Sequence, residues 1–271
     1  MLPTLPVSVR LPINRCNLPA AILGSLSFQR HPQPLKLDGV EELHHQLFKR
    51  LDGSADPRQR AEAFMAYMDA AFSLQNPEAA GFSPAHGRAR ANYLMMLRGW
   101  SFDADGREGA VLKGWVESRF GLLPRYHGGP IRDFSGPAYR HYLEQRSGGL
   151  YNTNGLEAQF DLLYAWCQYE LARQWPLDSH FILYRGINRM DAYEELGTAT
   201  QDPAHRIMLL NSLNSFTRER ERACEFGDHI LKVRVPASKI LFFHGLLPGK
   251  LRGEAEYGVI GGVYEVAVSR E

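Results

Sequence analysis

The sequence predicts an α+β protein in which a helical N-terminal half packs on a C-terminal β-rich core. Up to Trp175-Pro176, apolar side chains recur every three or four positions, which is the spacing of one helix face. Beyond this point the apolar spacing falls to about two, as expected for strands. We therefore predict a mainly helical region over residues 1–176 and a β-rich region over residues 177–271, joined as one compact unit.

Six helices are expected in the first region. Asp38 can cap the first, and Asp56 followed by Pro57 is a common start for the second. Gly121, which readily adopts left-handed backbone angles, is expected to end the fourth. The last four helices are predicted at about 88–100, 107–120, 136–146 and 155–174. The longest carries an apolar stripe that we expect in the core: Leu156, Phe160, Leu163 and Cys167.

Six strands are expected in the second region, because its apolar residues tend to alternate with other residues. The alternation is clearest over residues 263–268. One short helix at about 218–226, which Thr217 could cap, interrupts the series. The strands are predicted at 181–187, 206–216, 229–235, 239–243, 255–261 and 263–269.

The composition is that of a soluble globular protein, with 44% apolar residues and a mean hydropathy of −0.32. The net charge is only +1, so electrostatics give no reason to expect nucleic-acid or membrane binding. The three cysteines are widely spaced and odd in number, which excludes a disulfide framework and a CxxC metal site. A reduced, cytoplasmic location fits this usage best. No stretch has the length of a membrane span and no HExxH pattern occurs, so neither a membrane anchor nor a metal centre is expected.

Three short motifs in the C-terminal third suggest the chemistry. They are Tyr184-Arg185-Gly186, Ser215-Phe216-Thr217 and Glu254-Ala255-Glu256, each in or beside an apolar, strand-like run. Because side chains alternate faces along a strand, Glu254 and Glu256 are expected to point to the same side. Two carboxylates with an arginine and hydroxyls within reach suit the cleavage of a glycosidic bond that leaves a cationic sugar. This order of motifs resembles the arginine-specific ADP-ribosyltransferases.

Longer segments narrow the resemblance. They are Asn17-Leu18-Pro19, Leu23-Gly24-Ser25, Val111 to Leu122, Lys239 to Phe243 and Gly253 to Gly262. With them the chain is similar, from about Asn17 onward, to the dinitrogenase reductase ADP-ribosyltransferase family, which switches off nitrogenase. The resemblance implies that NAD+ is the substrate and that ADP-ribose passes to an arginine of dinitrogenase reductase, with release of nicotinamide. It also implies two small β-sheets that meet at an NAD+ cleft, and a link to a PII-type nitrogen signal protein.

The resemblance implies catalytic roles for three residues. Glu256 aligns with the second glutamate of the family's Glu-x-Glu motif and would stabilise an oxocarbenium-like transition state while holding the ribose 2′-hydroxyl. Glu254 aligns with the residue that marks arginine specificity and would orient the guanidinium and accept its proton. Ser215 would donate a hydrogen bond to Glu256 and orient it. On pattern alone, each glutamate could instead be a solvated charge on a strand.

Four residues are expected to bind NAD+. Arg185 would bind the pyrophosphate through paired hydrogen bonds, and Gly186 would let the backbone approach the nicotinamide amide. Without the resemblance, Arg185 could equally be a strand arginine paired with a neighbour. Phe216 stands where many relatives have threonine and could face either the core or the nicotinamide ring. Thr217 keeps a hydroxyl, but that hydroxyl could serve only to cap the following helix.

The loop over residues 244–253 touches the protein substrate in the family. Lys250 and Arg252 are therefore candidate target contacts, although the loop's glycines and proline are also those of an ordinary hairpin connection. Two alternatives stay open: the same chemistry on another protein arginine, and a non-catalytic binding module of the same fold. The intact Arg185, Ser215 and glutamate pair argue against the second alternative.

Overall fold

The computed structural model describes residues 3–75, 91–149, 155–198, 204–251 and 255–270. These residues contain ten α-helices and six β-strands, which confirms the predicted α+β class. All but one of these helices precede the first strand, as the change of apolar spacing near Trp175-Pro176 predicts. No helix within these ranges is both long enough and apolar enough to cross a bilayer.

The second predicted helix and those after it lie close to their expected positions, except that the helix predicted at 88–100 begins at Tyr93, and the first three of those predicted residues lie outside the described ranges. Asp56 caps the helix Pro57–Ala71 (α5) by accepting a hydrogen bond from the Arg58 amide at 3.0 Å. Gly121 follows the helix Arg107–Phe120 (α7) at a φ of 70°, as predicted for a left-handed C-terminal residue. The helices are α1 (Ala20–Leu23), α2 (Leu26–Arg30), α3 (Val40–Leu43), α4 (His45–Asp52), α5 (Pro57–Ala71), α6 (Tyr93–Phe102), α7 (Arg107–Phe120), α8 (Pro137–Gly149), α9 (Leu156–Gln174) and α10 (Arg220–Cys224).

The single helix predicted from Asp38 is wrong. Two short helices, α3 and α4, replace it and meet at His44, whose backbone angles are not helical. The residue before α3 is Gly39 at a φ of 79°, so Asp38 does not cap the helix. Leu43, the last residue of α3 before this break, is 79% exposed.

The strands agree with the predicted bounds except at two points. The strand Glu194–Thr198 (β2) is missed by the prediction because its sequence lacks the alternation of a half-buried strand. The strand Glu256–Arg270 (β6) is a single strand of 15 residues where two were predicted. The predicted break falls at Gly261-Gly262. A Cβ at Gly261 would overlap the Asn211 carbonyl oxygen, and a Cβ at Gly262 would be too close to the Gly24 carbonyl oxygen, so both positions need glycine. The strands are β1 (His180–Ile187), β2 (Glu194–Thr198), β3 (His205–Thr217), β4 (His229–Pro236), β5 (Ile240–Phe243) and β6 (Glu256–Arg270).

The six strands form one sheet with antiparallel pairing, in the order β2-β3-β1-β4-β6-β5. β3 also pairs with β6, so β3, β1, β4 and β6 close into a ring. Two separate small sheets are therefore not confirmed. The long strands β3 and β6 pair with each other and, between them, with every other strand of the sheet. They bend at a bulge, where Asn211 and Ser212 of β3 oppose the single Gly261 of β6. Buried Lys239 donates to the Gly261 carbonyl at 2.6 Å, and burial lowers the pKa of this lysine to about 7.

Helix α9 packs the helical region against the sheet. Its predicted core stripe is buried, including Cys167. Tyr164 Oη donates to the Ser238 carbonyl at 2.8 Å, and Gln168 Nε2 donates to the Ile240 carbonyl at 2.8 Å. These bonds hold α9 beside β5, which is the neighbour of β6.

A buried ion pair joins α5 to α9. Arg60 and Glu170 share two hydrogen bonds, of 2.5 Å and 2.8 Å, and their side chains are 3% and 2% exposed. Arg60 Nη1 also donates to the carbonyls of Ser54 and Ala55, and Gln174 donates to the carboxylate. Both charges therefore have the polar partners that buried charges require.

Candidate active site

A cavity of about 360 Å³ lies between the helical region and the sheet. Strands β1 and β3 line it with Arg185, Gly186 and Ser215. The helical region lines it with Trp100, near the end of α6, and with Lys113 in α7. The fold thus brings two of the three predicted motifs to one cavity.

The carboxylate of Glu256 is bound to two of the residues that line this cavity. Its Oε1 accepts hydrogen bonds from Trp100 Nε1, at 2.8 Å, and from Ser215 Oγ. Its Oε2 accepts a hydrogen bond from Ser101 Oγ at 2.6 Å. Because β6 pairs with β3 in a register that sets Glu256 opposite Thr217, the carboxylate comes within reach of Ser215. Ser215 and Glu256 are therefore in direct contact.

Arg185 is hydrogen-bonded to the backbone of Ser215, the residue whose side chain contacts Glu256. Its Nη1 donates to the Ser215 carbonyl at 2.7 Å, and its Nε donates to Tyr193 Oη at 3.4 Å. No carboxylate of the described ranges forms an ion pair with it. Since a guanidinium has five N–H donors, most of its donors are available to a ligand in the cavity. Arg185, Ser215 and Glu256 thus form one hydrogen-bonded series across three strands.

The cavity lining carries more positive than negative charge. Five cationic residues line it, against two carboxylates. Asp105 is paired with Lys113 at 2.8 Å, and Glu194 with Arg125 at 2.9 Å. The surplus positive charge suits a ligand that carries phosphate groups. The cationic residues are Lys113, Arg125, Arg132, Arg185 and Arg189.

The bulge in β3 fixes part of the cavity lining. Asn211 Oδ1 accepts a hydrogen bond from the backbone amide of Arg125, at 2.8 Å, and from that of Tyr126, at 3.3 Å. Asn211 Nδ2 donates to the Tyr126 carbonyl at 2.9 Å. The segment after α7 is therefore bound directly to the sheet at the cavity. This contact could not be predicted from the sequence, in which Asn211 looks like an ordinary polar residue of a strand.

Lys113 is a buried cation that sequence reasoning missed. Its Nζ donates to Asp105 Oδ1 at 2.8 Å, to the Tyr126 carbonyl at 3.0 Å and to His127 Nδ1 at 3.2 Å. Burial lowers the pKa of Lys113. Burial also favours a raised pKa for Asp105, but the charge and hydrogen bond of Lys113, with the Gly128 amide, together lower it. Burial and the charge of Lys113 lower the pKa of His127 to about 4, so its ring is neutral at pH 7 and can accept this bond.

The family model for dinitrogenase reductase ADP-ribosyltransferase (DRAT) matches residues 13–268. The chain belongs to this family. It is 41% identical over 262 residues to the NAD(+)–dinitrogen-reductase ADP-D-ribosyltransferase of Rhodospirillum rubrum. The aligned region covers 94% of each chain. No solved structure matches the chain.

Gly186, in the first of the family-like motifs, is required by packing. A Cβ there would overlap the Ala223 carbonyl oxygen in α10 and come within 2.9 Å of the Gly227 amide. The same residue also lines the cavity. Close packing of α10 on β1 is therefore a sufficient reason for glycine here, beside any approach of a ligand.

The second family-like motif contributes differently at each position. Ser215 lines the cavity, whereas Phe216 is 3% exposed and belongs to the hydrophobic core. The structure therefore does not bring the Phe216 ring to the cavity. Thr217 is also buried, and its Oγ1 accepts a hydrogen bond from the Glu219 amide at 3.2 Å. The residue that precedes α10 is Glu219, so Thr217 orders the approach to the helix and is not its N-cap.

The third motif begins outside the described residues, which do not include Glu254 or Arg252. β6 starts at Glu256, and Ala255 has a left-handed φ of 49°. The predicted extended backbone at Ala255 is therefore wrong, and strand alternation does not apply across it. Lys250 is exposed, and its carbonyl accepts a long hydrogen bond of 3.5 Å from Arg98 Nε of α6.

Proposed function

We propose that this chain transfers ADP-ribose from NAD+ to an arginine of dinitrogenase reductase and releases nicotinamide. The observation that carries the proposal is the hydrogen-bonded series Arg185, Ser215 and Glu256 beside a cavity with surplus positive charge, in a chain of the DRAT family. The R. rubrum relative is named for this activity. As part of this proposal, the two halves of the bent sheet correspond to the family's two small sheets, and the cavity that Arg185 and Ser215 line is the NAD+ cleft.

Glu256 is the catalytic carboxylate in this proposal. Departure of nicotinamide leaves positive charge on the ribose, which resembles an oxocarbenium ion. A fixed carboxylate stabilises this charge more than it stabilises the neutral ribose of the ground state, and this difference lowers the barrier. Ser215 holds the carboxylate through Oε1. The hydrogen bond from Ser101 still leaves Oε2 free to accept a further bond from the ribose 2′-hydroxyl.

Arg185 binds the pyrophosphate of NAD+ in this proposal. Its hydrogen bond to the Ser215 carbonyl orients the guanidinium and leaves other N–H groups for phosphate oxygens. The backbone at Gly186 faces the nicotinamide amide. Thr217 contributes by ordering the chain between β3 and α10, and Phe216 contributes by packing the strand from its core side.

Glu254 receives the target arginine in this proposal, following its position in the Glu-x-Glu motif. A carboxylate can bind a guanidinium in the paired geometry and accept its proton as the new bond forms. Lys250 and Arg252, in the loop before the motif, contact the protein target. The enzyme acts in the cytoplasm, and a PII-type nitrogen signal protein is a further proposed partner.

The proposal is tested by incubating the protein with NAD+ labelled in the adenylate part and purified dinitrogenase reductase. Label should appear on a single arginine of the target, with one nicotinamide released per transfer. An unrelated protein with exposed arginines serves as the control and should stay unlabelled. Equal labelling of both proteins would contradict the assigned target and support the same chemistry on other arginines. NAD+ binding without any nicotinamide release would support a non-catalytic module.

Replacing Arg185 by lysine should raise the Kd for NAD+ about tenfold, which corresponds to about 1.4 kcal/mol. Lysine keeps the charge but has no planar pair of donors, so it cannot reproduce the contact with two phosphate oxygens. Isothermal titration calorimetry measures the effect. The matched control is Arg206→Lys, which alters an arginine paired with Glu195 on the surface, away from the cavity. If both variants bind NAD+ as the wild type does, Arg185 has a structural role.

A further inference from the structure

Helix α6 contacts the Glu256 carboxylate with two consecutive residues. Trp100 Nε1 donates to Oε1 at 2.8 Å, and Ser101 Oγ donates to Oε2 at 2.6 Å. Trp100 Nε1 also lies 3.2 Å from Ser215 Oγ. One carboxylate oxygen is therefore bound by both α6 and β3, and the other, among the described residues, by α6. Two donors on different oxygens hinder rotation of the carboxylate about its last side-chain bond.

The Ser101 hydroxyl has two acceptors within reach, and the Glu256 carboxylate is the better one. Its Oγ lies 3.1 Å from the Leu97 carbonyl, one turn earlier in α6, and 2.6 Å from Glu256 Oε2. A hydroxyl has one proton and can donate it fully to only one of these oxygens. The carboxylate is charged and closer, so it receives the proton. The hydroxyl is thus committed to Glu256 and not to its own helix.

The buried ammonium group of Lys113 lies over the indole ring of Trp100. The Trp100 side chain is 2% exposed, and Lys113 Nζ lies 5.9 Å from the centre of its ring. A cation placed over the face of an indole ring is attracted to the ring. Lys113 is itself fixed by Asp105, Tyr126 and His127. The indole is therefore held in its position by a bonded network of the helical region.

Two glycines fix the end of α6 that carries these donors. A Cβ at Gly99 would overlap the Glu108 side chain of α7, and a Cβ at Gly109 would overlap the Ala104 carbonyl. The turn between α6 and α7 is therefore packed too closely for larger residues. Such packing leaves the last turn of α6 little freedom to move relative to α7 and Lys113.

We propose that Trp100 and Ser101 are positioning residues, which hold the Glu256 carboxylate in its productive orientation from the side of the helical region. This inference rests on the proposed function, because it needs Glu256 to be catalytic. It makes the helical region a part of the catalytic site, where the family-like motifs alone would assign catalysis to the β core. Neither residue needs to touch the reacting atoms for this role.

The test compares kcat and KM for NAD+ cleavage in Ser101→Ala, Ser101→Thr and Trp100→Phe. We expect Ser101→Ala to lower kcat about tenfold with KM for NAD+ within twofold of the wild type. Ser101→Thr, which keeps the hydroxyl, should recover most of this loss. Trp100→Phe, which keeps the bulk and loses the N–H group, should also lower kcat about tenfold. Ser27→Ala, at an exposed serine of α2, is the matched control and should leave both constants unchanged.

The outcomes separate this inference from the proposed function. If the wild type cleaves NAD+ and Glu256→Gln does not, the catalytic assignment stands. Retention of more than half the wild-type kcat by Ser101→Ala and Trp100→Phe would then overturn the inference alone. A loss in Ser101→Ala that Ser101→Thr does not recover would overturn it too, because the hydroxyl would not be the cause. Thermal unfolding of each variant identifies any that fails to fold, and if Trp100→Phe fails, the two Ser101 variants decide the matter.

Discussion

Replacing Glu256 by glutamine should lower kcat for NAD+ cleavage at least about 100-fold and abolish detectable transfer to dinitrogenase reductase. The variant keeps the size of the side chain and much of its hydrogen bonding but removes the charge. That charge acts on the cationic transition state more than on the bound substrate, and loss of one such electrostatic contact typically costs a factor of about 10² to 10³. NAD+ affinity should therefore change little. Release of nicotinamide and calorimetric titration with NAD+ measure the two effects.

The matched control is Glu265→Gln, in the same strand. Glu265 forms an ion pair with Arg30 at 2.9 Å and does not line the cavity with Arg185. Its replacement should leave kcat within about twofold of the wild type. If Glu256→Gln kept more than about a tenth of wild-type turnover, a barrier increase of less than ~1.4 kcal/mol, the catalytic assignment of Glu256 would be wrong.

Replacing Glu170 by glutamine should lower the free energy of unfolding by about 3–5 kcal/mol. The substitution leaves the guanidinium of Arg60 as an uncompensated charge in the buried contact between α5 and α9. A neutral amide cannot repay the cost of removing that charge from water. The remaining bonds to the Ser54 and Ala55 carbonyls reduce this cost but do not supply the missing negative charge. Urea unfolding followed by circular dichroism measures the change.

An exposed ion pair on the same helix provides the comparison. Arg58 and Glu62 lie 3.3 Å apart in α5, and their side chains are 78% and 60% exposed. Glu62→Gln should cost no more than about 0.5 kcal/mol, because water screens the pair. A loss below about 1 kcal/mol for Glu170→Gln would mean that Arg60 finds another partner or reaches solvent, and the buried pair would not be important for stability.

The parts of the fold that follow local pattern were predictable. Helices α5, α7, α8 and α9 follow the spacing of their apolar residues, and their ends follow local signals such as Asp56 and Gly121. β2 and the continuity of β6 did not follow local pattern. β2 is stabilised by pairing with β3, and β6 passes through a glycine pair because other backbone atoms approach it. Both depend on contacts between distant segments, which a local spacing rule does not contain.

The candidate site also contains both residues that could be predicted from the sequence and residues that could not. The resemblance to the arginine-specific ADP-ribosyltransferases implied that Arg185, Ser215 and Glu256 share one site, and the hydrogen bonds between them agree with this expectation. Trp100 and Ser101 were missed because, in the sequence, they look like ordinary residues of an amphipathic helix. Their contact with Glu256 spans 156 and 155 residues of the chain respectively. The strand-based argument for placing Glu254 on the same side as Glu256 also failed at Ala255, because local spacing does not predict left-handed backbone angles.

β6 follows the other five strands in the sequence, so the site becomes complete only after β6 has been synthesised. A ribosome delivers the chain from its N-terminus, so segments emerge in the order of the sequence. α6, α7, β1 and β3 are made before β6, so Trp100, Lys113, Arg185 and Ser215 are available before Glu256 exists. β6 then closes the ring by pairing with β3, β4 and β5 together. The five cationic residues that line the cavity are therefore synthesised before Glu256, the proposed catalytic carboxylate, and the contact between Ser215 and Glu256 forms only when β6 pairs with β3.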